Sequence, residues 1–249
     1  MNWLRNFHLV DLPSSLPCFS PEKVSIDNIR TVISNNIPCA IVKNFYPSNL
    51  SLAAANEIEQ WAFTLPPHNT RLEPDRTSSN FWSLDILPRS VLTNRVMRDF
   101  MLGDLSSSSF QFSDTYKLFD KLNSFHFSHV LNNDVNAIQA FKYAPQILHI
   151  PEGGGFFDWH VHSRYPQNYG FLLMIKSNTI VESSNAPASM IVKFDDIIYS
   201  TQGVLSPGDL FIFRYDLLHA ITPHLPLNDL NLSHSGAYFA VNPLIKPCS

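Results

Sequence analysis

The spacing of apolar and polar positions changes near residue 136. Beyond it, short apolar segments alternate with turn residues, a pattern that predicts β-strands. We predict strands at 137–143, 146–150, 155–162, 169–176, 189–194, 210–214 and 237–241. Short strands at regular spacing are typical of a barrel or a sandwich. The carboxy-terminal half of the chain is therefore predicted to be β-structure.

The first half of the chain has a more mixed pattern. Apolar positions at helical spacing and an Ala-rich stretch indicate helices, which we predict at 25–34, 48–62, 90–102 and 113–125. The β-branched segment 39–45 lies between two prolines and predicts a strand. Segment 66–79 lacks periodicity and predicts a long loop, of the kind that often covers a binding site.

Composition and charge narrow the class of protein. The 249 residues fit one large domain, and 45% apolar with only 15% charged residues indicates a large core. The net charge of −4 gives no basic excess to neutralise phosphates, so nucleic acid is not an expected partner. Cys18, Cys39 and Cys248 match neither a disulfide framework nor a zinc ribbon, and no apolar stretch has membrane-spanning length. We therefore expect a soluble cytoplasmic protein with no membrane partner.

Three histidines form a candidate metal site. His160 and His162 lie two positions apart on a predicted strand, where such side chains point to the same face. His219 follows the predicted strand at 210–214 and needs only a neighbouring strand to join them. Three imidazoles would leave open positions on a metal ion for a co-substrate and dioxygen.

The segments around these histidines resemble a known family. Residues 154–160, Gly-Gly-Phe-Phe-Asp-Trp-His, and residues 208–223, which end in Leu-His-Ala-Ile-Thr-Pro, are similar to the strands that carry the first and last iron ligands of the iron(II)- and 2-oxoglutarate-dependent oxygenases. Segment 41–46 resembles the entry strand of many members. The resemblance implies the fold class α+β, mainly β, with a double-stranded β-helix (jelly-roll) core.

The same resemblance implies an organisation and an activity. We expect a single oxygenase-like domain over 1–249, with a mixed helical portion at 1–136 and the jelly-roll core at 137–249. The cofactors would be Fe(II), 2-oxoglutarate as co-substrate, and O2. The expected reaction oxidises a C–H bond of a small organic molecule, by hydroxylation, desaturation or oxidative cyclisation.

One departure from the family pattern concerns the metal ligands. His162 stands where the family has Asp or Glu, which leaves an extra positive charge on an iron site. One alternative is a three-histidine iron oxygenase that does not use 2-oxoglutarate, and another is a catalytically silent jelly-roll binding protein. Asp158, two residues before His160, could supply a carboxylate ligand or hydrogen-bond an imidazole and orient it.

A second departure concerns the co-substrate. Many family members carry an Arg after the last His, where its guanidinium binds a carboxylate of 2-oxoglutarate. This chain has no Arg or Lys between His219 and Lys246. The candidate co-substrate-binding residues are Lys176, Arg164, Arg214 and His234, and the candidate substrate-pocket residues are Trp159, Arg71 and Arg76.

Overall fold

A computed structural model describes the parts of the chain that carry the fold. The described residues are 9–11, 18–20, 25, 27–29, 39–64, 68–69, 81–85, 95–102, 112–129, 131, 135–136, 141–162, 168–177, 188–223 and 235–245. Two long helices lie in these ranges, α1 (Ser48–Thr64) and α2 (Ser113–His129). Neither is long and apolar enough to cross a membrane.

The strands occupy most of the remaining described residues. In chain order they are β1 (Leu9–Asp11), β2 (Cys18–Phe19), β3 (Cys39–Val42), β4 (His68–Asn69), β5 (Phe81–Asp85), β6 (Arg95–Met101), β7 (Lys142–Tyr143), β8 (Gln146–Pro151), β9 (Phe156–His160), β10 (Tyr169–Lys176), β11 (Met190–Phe194), β12 (Ile197–Ser200), β13 (Leu210–Arg214), β14 (Leu218–Ile221), β15 (Gly236–Val241) and β16 (Leu244–Ile245).

Fourteen of the described strands form a curled, mainly antiparallel sheet with the layout of a jelly roll, and β7 and β16 pair in a separate two-stranded sheet. One part runs β8–β15–β10–β13–β3 and packs against the helices, and the other runs β9–β14–β11–β12. This confirms the predicted fold class, α+β and mainly β with a jelly-roll core. The predicted helices that became α1 and α2 and the predicted strand that became β3 are confirmed as well. Of the described residues in the predicted helix at 25–34, which are 25 and 27–29, residues 27–29 are helical.

The apolar core has two layers because β10 is buried on both faces. Phe171, Leu173 and Ile175 contact the cluster beneath α1 and α2. The alternate residues Leu172 and Met174 belong to the cluster enclosed between the two parts of the sheet. The helices therefore cover one face of the sheet, and the opposite face is left to form the interior of the jelly roll.

The predicted helix at 90–102 is wrong, because residues 95–101 form β6. Met, Arg and Asp have no strong strand preference, and here tertiary pairing decides. One edge of β6 pairs with β5, and its other edge pairs with β8 and then β9, both antiparallel. The segment 66–79, predicted as a loop, also contains the two-residue strand β4, which pairs with β5.

Strand β6 joins the two parts of the sheet. It pairs with β8 through residues 98–101 and with β9 through residues 95–96, antiparallel in both cases, so β8 and β9 lie end to end along one edge of β6. The turn at 152–155 between them includes Gly153 and Gly154, both at positive φ. A Cβ at Gly155 would lie 2.4 Å from a Pro151 side-chain atom, so this passage from one part of the sheet to the other requires glycine.

Candidate metal centre

His160, His162 and His219 come together at the mouth of the jelly roll. His160 ends β9 and pairs across the ladder with His219 on β14. His162 follows β9, and its backbone N–H donates a 2.9 Å hydrogen bond to the carbonyl oxygen of Tyr215. One ligand atom from each of the three imidazoles lies within 4.8 Å of the others. His219 is buried and His162 is exposed, so the group lies between the interior and the solvent.

Backbone carbonyl groups set the tautomers of two of these rings. Nδ1 of His160 donates a 2.7 Å hydrogen bond to the carbonyl oxygen of Asp158, and Nδ1 of His219 does the same to Leu217. Because a carbonyl oxygen can only accept, the proton lies on Nδ1 in each ring. The Nε2 lone pair of a neutral imidazole is then available to a metal, which is how carbonyl groups orient metal-binding histidines.

The surroundings keep these imidazoles neutral. Burial is the main reason that the pKa of His160 is lowered to about 4; the hydrogen bond to the Asp158 carbonyl opposes this effect, and the positive charge of Arg95 adds a smaller lowering effect. Burial also lowers the pKa of His219 well below its ordinary value, with His160 as a second cause. At neutral pH the histidines are therefore unprotonated and able to act as ligands.

Asp158 is not part of the metal-binding group, which corrects one of the sequence expectations. The ladder between β9 and β14 shifts register between His219 and Ile221, so Phe157 and His160 both line the same cavity although they are three residues apart. This register shift is a β-bulge in β9, and it interrupts the alternation of side chains between the two faces of the strand. The Asp158 carboxylate instead accepts a 2.7 Å hydrogen bond from the backbone N–H of Trp159. Asp158 orients His160 through its main-chain carbonyl.

Trp159 is also placed differently from the prediction. Its side chain packs against Ile191, Ile198 and Ala220, on the far side of the sheet from the histidines. It does not line the cavity and is therefore not a substrate-pocket residue among those the structure describes.

A cavity of about 370 Å³ opens beside the three histidines. This volume falls in the range of small-molecule sites. Its described lining is Arg95, Met97, Asp99, Gln146, Leu148, Phe157, His160, His162, Gly170, Phe171, Leu172, Met190, Phe213, Tyr215, His219, Ile221, Val241, Asn242 and Pro243. Most of these side chains are aromatic or aliphatic, so a bound molecule would be largely desolvated.

The cations proposed as co-substrate anchors do not all reach this cavity. Lys176 forms a 2.5 Å ion pair with Glu59 of α1 and lies over the ring of Tyr238, on the helix-covered face of β10. Arg214 forms a 2.5 Å ion pair with Asp216 near the surface. Neither lines the cavity. The expectation for these two residues is therefore corrected, and those for Arg164, His234, Arg71 and Arg76 lie outside the described residues.

Sequence reasoning did not find the polar residues that β6 contributes. Arg95 and Asp99 line the cavity together with Met97, as alternate residues of a strand do. They were overlooked because a helix was predicted for this segment. Tyr215 and Phe157 also line the cavity. Both residues lie close in sequence to the metal-site histidines, and this proximity could have identified them as cavity residues.

The residues present fit a divalent first-row metal. Imidazole nitrogen suits iron(II) and other divalent first-row metals. The three donors are neutral, and backbone carbonyl groups orient two of them, His160 and His219. No carboxylate belongs to this group among the described residues. The donor set therefore suits a metal with open coordination positions and leaves its double charge uncompensated.

Comparisons with known proteins support the fold. No protein-family model matches the chain, and no curated protein sequence matches it either. A crystal structure of a prolyl-4-hydroxylase from Pseudomonas putida superposes with a TM-score of 0.52 at 11% identity, covering 90% of this chain and 100% of that one. A prolyl hydroxylase from Trichoplax adhaerens, in complex with a hypoxia inducible factor oxygen degradation domain peptide fragment, gives 0.57 at 11% identity, covering 89% of each chain. The chain thus shares the jelly-roll fold of these hydroxylases.

Proposed function

We propose that the protein is a non-haem iron(II) oxygenase that uses 2-oxoglutarate and O2 to oxidise a C–H bond of a small organic molecule. The observation that carries the proposal is the convergence of three neutral imidazoles at the mouth of a jelly-roll cavity. The fold that it shares with prolyl hydroxylases supports the proposal. His160, His162 and His219 are the proposed ligands.

In the proposed reaction the chain's residues bind, orient and exclude water. A bound iron(II) would supply the activation of dioxygen. For hydroxylation the balance is that 2-oxoglutarate, O2 and R–H give succinate, CO2 and R–OH. Phe157, Phe213 and Leu172 form apolar walls that would hold the substrate and keep water away. Desaturation and oxidative cyclisation use the same oxidant with a different fate of the substrate.

The charge of the site favours an anionic co-substrate. A histidine and carboxylate set leaves a single positive charge on a divalent metal, whereas three neutral imidazoles leave two. Coulomb attraction in a partly buried site then strengthens the binding of a 2-oxo acid. The neutral state of the imidazoles therefore supports 2-oxoglutarate as a co-substrate even without a carboxylate ligand.

A second candidate function rests on the same feature. Three-histidine iron sites occur in oxygenases that bind the organic substrate directly and need no 2-oxoglutarate. The presence of His162 at the position of the family carboxylate favours this alternative. It predicts oxygen uptake that depends on a substrate and is indifferent to 2-oxoglutarate.

An anaerobic titration of the apo-protein with iron(II) separates these possibilities. We expect a visible charge-transfer band when 2-oxoglutarate is added to the iron-loaded protein. His160→Ala and His219→Ala should abolish iron binding, and His162→Ala should weaken it and shift the band. His129→Ala is the matched control, since His129 lies on α2 and does not line the cavity.

The remaining outcomes have distinct meanings. Iron binding without any response to 2-oxoglutarate would replace the proposal by the three-histidine alternative. Absence of iron binding would overturn both and leave a jelly-roll binding protein. His162→Asp, which restores the family pattern, should retain iron binding. Turnover of a prolyl peptide in place of small molecules would correct the substrate class.

A further inference from the structure

Strand β6 brings polar side chains into the cavity from outside the jelly-roll strands. Its residues Arg95, Met97 and Asp99 line the cavity, whereas Arg98 lies over the Phe100 ring at 5.0 Å, on the other face. Residue 95 pairs with Phe157 of β9, and residue 99 pairs with Leu148 of β8. The position of Arg95 is thus fixed by the ladder that holds the strand of His160.

Arg95 is the one residue with a permanent positive charge among the described residues that line the cavity. Its guanidinium carbon lies 5.8 Å from the centroid of the Phe157 ring. Its charge lowers the pKa of His160 and that of Asp99, so its field extends to the histidines and along β6. A guanidinium in this position can bind a planar anion in two parallel hydrogen bonds.

Asp99 is compatible with an anion bound at Arg95. Burial raises the pKa of Asp99 to about 7, against the lowering effect of Arg95. Near neutral pH a large fraction of this carboxyl group is therefore protonated, and a protonated carboxyl group can donate a hydrogen bond. A second carboxylate could then bind nearby without facing a full like charge.

We propose that Arg95, assisted by Asp99, binds the carboxylate of an organic acid in this cavity. The inference rests on the proposed function for the metal, but the acid-binding step can be measured separately. The carboxylate has two possible sources, the distal end of a 2-oxo acid co-substrate or the substrate itself. In either case β6 supplies the positive charge in the cavity, which neither Lys176 nor Arg214 lines.

Calorimetric titration of the manganese(II)-loaded protein tests the proposal without turnover. The probes are 2-oxoglutarate, 2-oxobutyrate, which lacks the distal carboxylate, and glutarate, which lacks the oxo group. If Arg95 binds the co-substrate, Arg95→Gln should weaken 2-oxoglutarate binding about tenfold or more and leave 2-oxobutyrate unchanged. Arg95→Lys should recover part of the loss, because it keeps the charge but not the paired hydrogen bonds.

A second titration tests the other source. Protein saturated with manganese(II) and 2-oxoglutarate is titrated with butyrate, a plain carboxylate. Butyrate binding that is lost in Arg95→Gln assigns Arg95 to the substrate. Arg214→Gln is the matched control and should change neither titration, since its partner is Asp216.

The proposal is overturned if Arg95→Gln binds every acid within twofold of the wild type, or if the wild type binds none of them. Glutarate binding by the metal-free protein separates this failure from that of the proposed function. If the protein binds no metal but binds glutarate through Arg95, the oxygenase proposal fails and the acid site stands. Manganese(II) binding that is unchanged in Arg95→Gln confirms that the variant is folded.

Discussion

His160 and His219 face each other on antiparallel strands, and their ring centroids are 4.1 Å apart. The Phe213 ring packs against His219 with a centroid distance of 4.7 Å. Phe213 in turn pairs with Gly170, where an added Cβ would lie 2.4 Å from the Phe213 ring. The position of His219 therefore depends on a glycine in the neighbouring part of the sheet.

Replacing that glycine should disturb the metal site. We expect Gly170→Ala to displace Phe213, to lower the free energy of unfolding by about 1–3 kcal/mol, and to weaken metal binding. Urea unfolding and manganese(II) titration measure the two effects. Gly203→Ala is the control, because nothing lies within 4 Å of the added Cβ and only its positive φ opposes the change. Unchanged metal affinity in Gly170→Ala would contradict this account of His219.

The buried carboxylate of Asp209 should be a major source of stability. It accepts hydrogen bonds from the backbone N–H groups of Asn44 and Ser206, each at 2.9 Å, and pairs with Lys43 at 2.7 Å. Asp209→Ala removes the buried acceptor that these three donors share and should cost about 3 kcal/mol in urea unfolding. Lys193→Met, which removes an exposed ion pair with Asp196, should cost less than about 1 kcal/mol. Equal losses in the two variants would show that burial of Asp209 is unimportant.

Glu57 links the two long helices by capping α2. Its carboxylate accepts hydrogen bonds from the backbone N–H groups of Asp114 and Thr115, at 3.1 and 2.9 Å, and from the Thr115 hydroxyl at 2.9 Å. A negative charge at a helix N-terminus is favourable. Glu57→Ala should therefore lower the free energy of unfolding by about 1–2 kcal/mol, and Glu57→Gln by less, since an acceptor remains. A larger loss for Gln than for Ala would contradict the capping role.

Acid should destabilise the fold through His126. Burial lowers its pKa to about 4, from an ordinary value near 6.5, and its Nδ1 lies 2.9 Å from the Tyr143 hydroxyl. Because the folded-state pKa is depressed, the stabilising contribution is complete above pH 6.5 and is lost as pH falls towards 4. The loss is at most about 3 kcal/mol.

His126→Gln should reduce this pH dependence. Unfolding free energies of both proteins in urea at pH 7.5 and pH 4.5 give the comparison. The difference between the two pH values should be smaller in the variant by about 2 kcal/mol. An identical pH dependence would mean that His126 is protonated without cost in the folded state.

Where a segment is apolar on one or both faces and its ends are marked by turn residues, its type of secondary structure was predicted correctly from the sequence. Helices α1 and α2 and the strands β8, β10, β11, β13 and β15 belong to this class. The convergence of the three histidines was also predicted from the sequence, because each of them lies in a distinctive segment. Strand β6 was not found, since its strand conformation depends on pairing with β8 and β9, which are distant in sequence.

The detailed errors at the site have two physical causes. Asp158 was assigned to the face of His160 by simple alternation, and the bulge in β9 breaks that alternation. Lys176 ends a strand that is apolar on both faces, so the pattern could not indicate which face it occupies, and the register of the strand shifts between Met174 and Lys176. Neighbouring strands decide where a bulge forms and which face of a fully buried strand a residue occupies. A single sequence does not reveal which strands are neighbours.

The place of β6 beside both β8 and β9 limits how this chain can be divided. A fragment of residues 137–249, the portion predicted from the sequence to form the jelly-roll core, would lack β6 and expose backbone edges of β8 and β9 at once. Open edges of this kind template pairing between molecules. We expect such a fragment to aggregate, and expression or circular permutation should therefore keep β6 together with the strands that follow it.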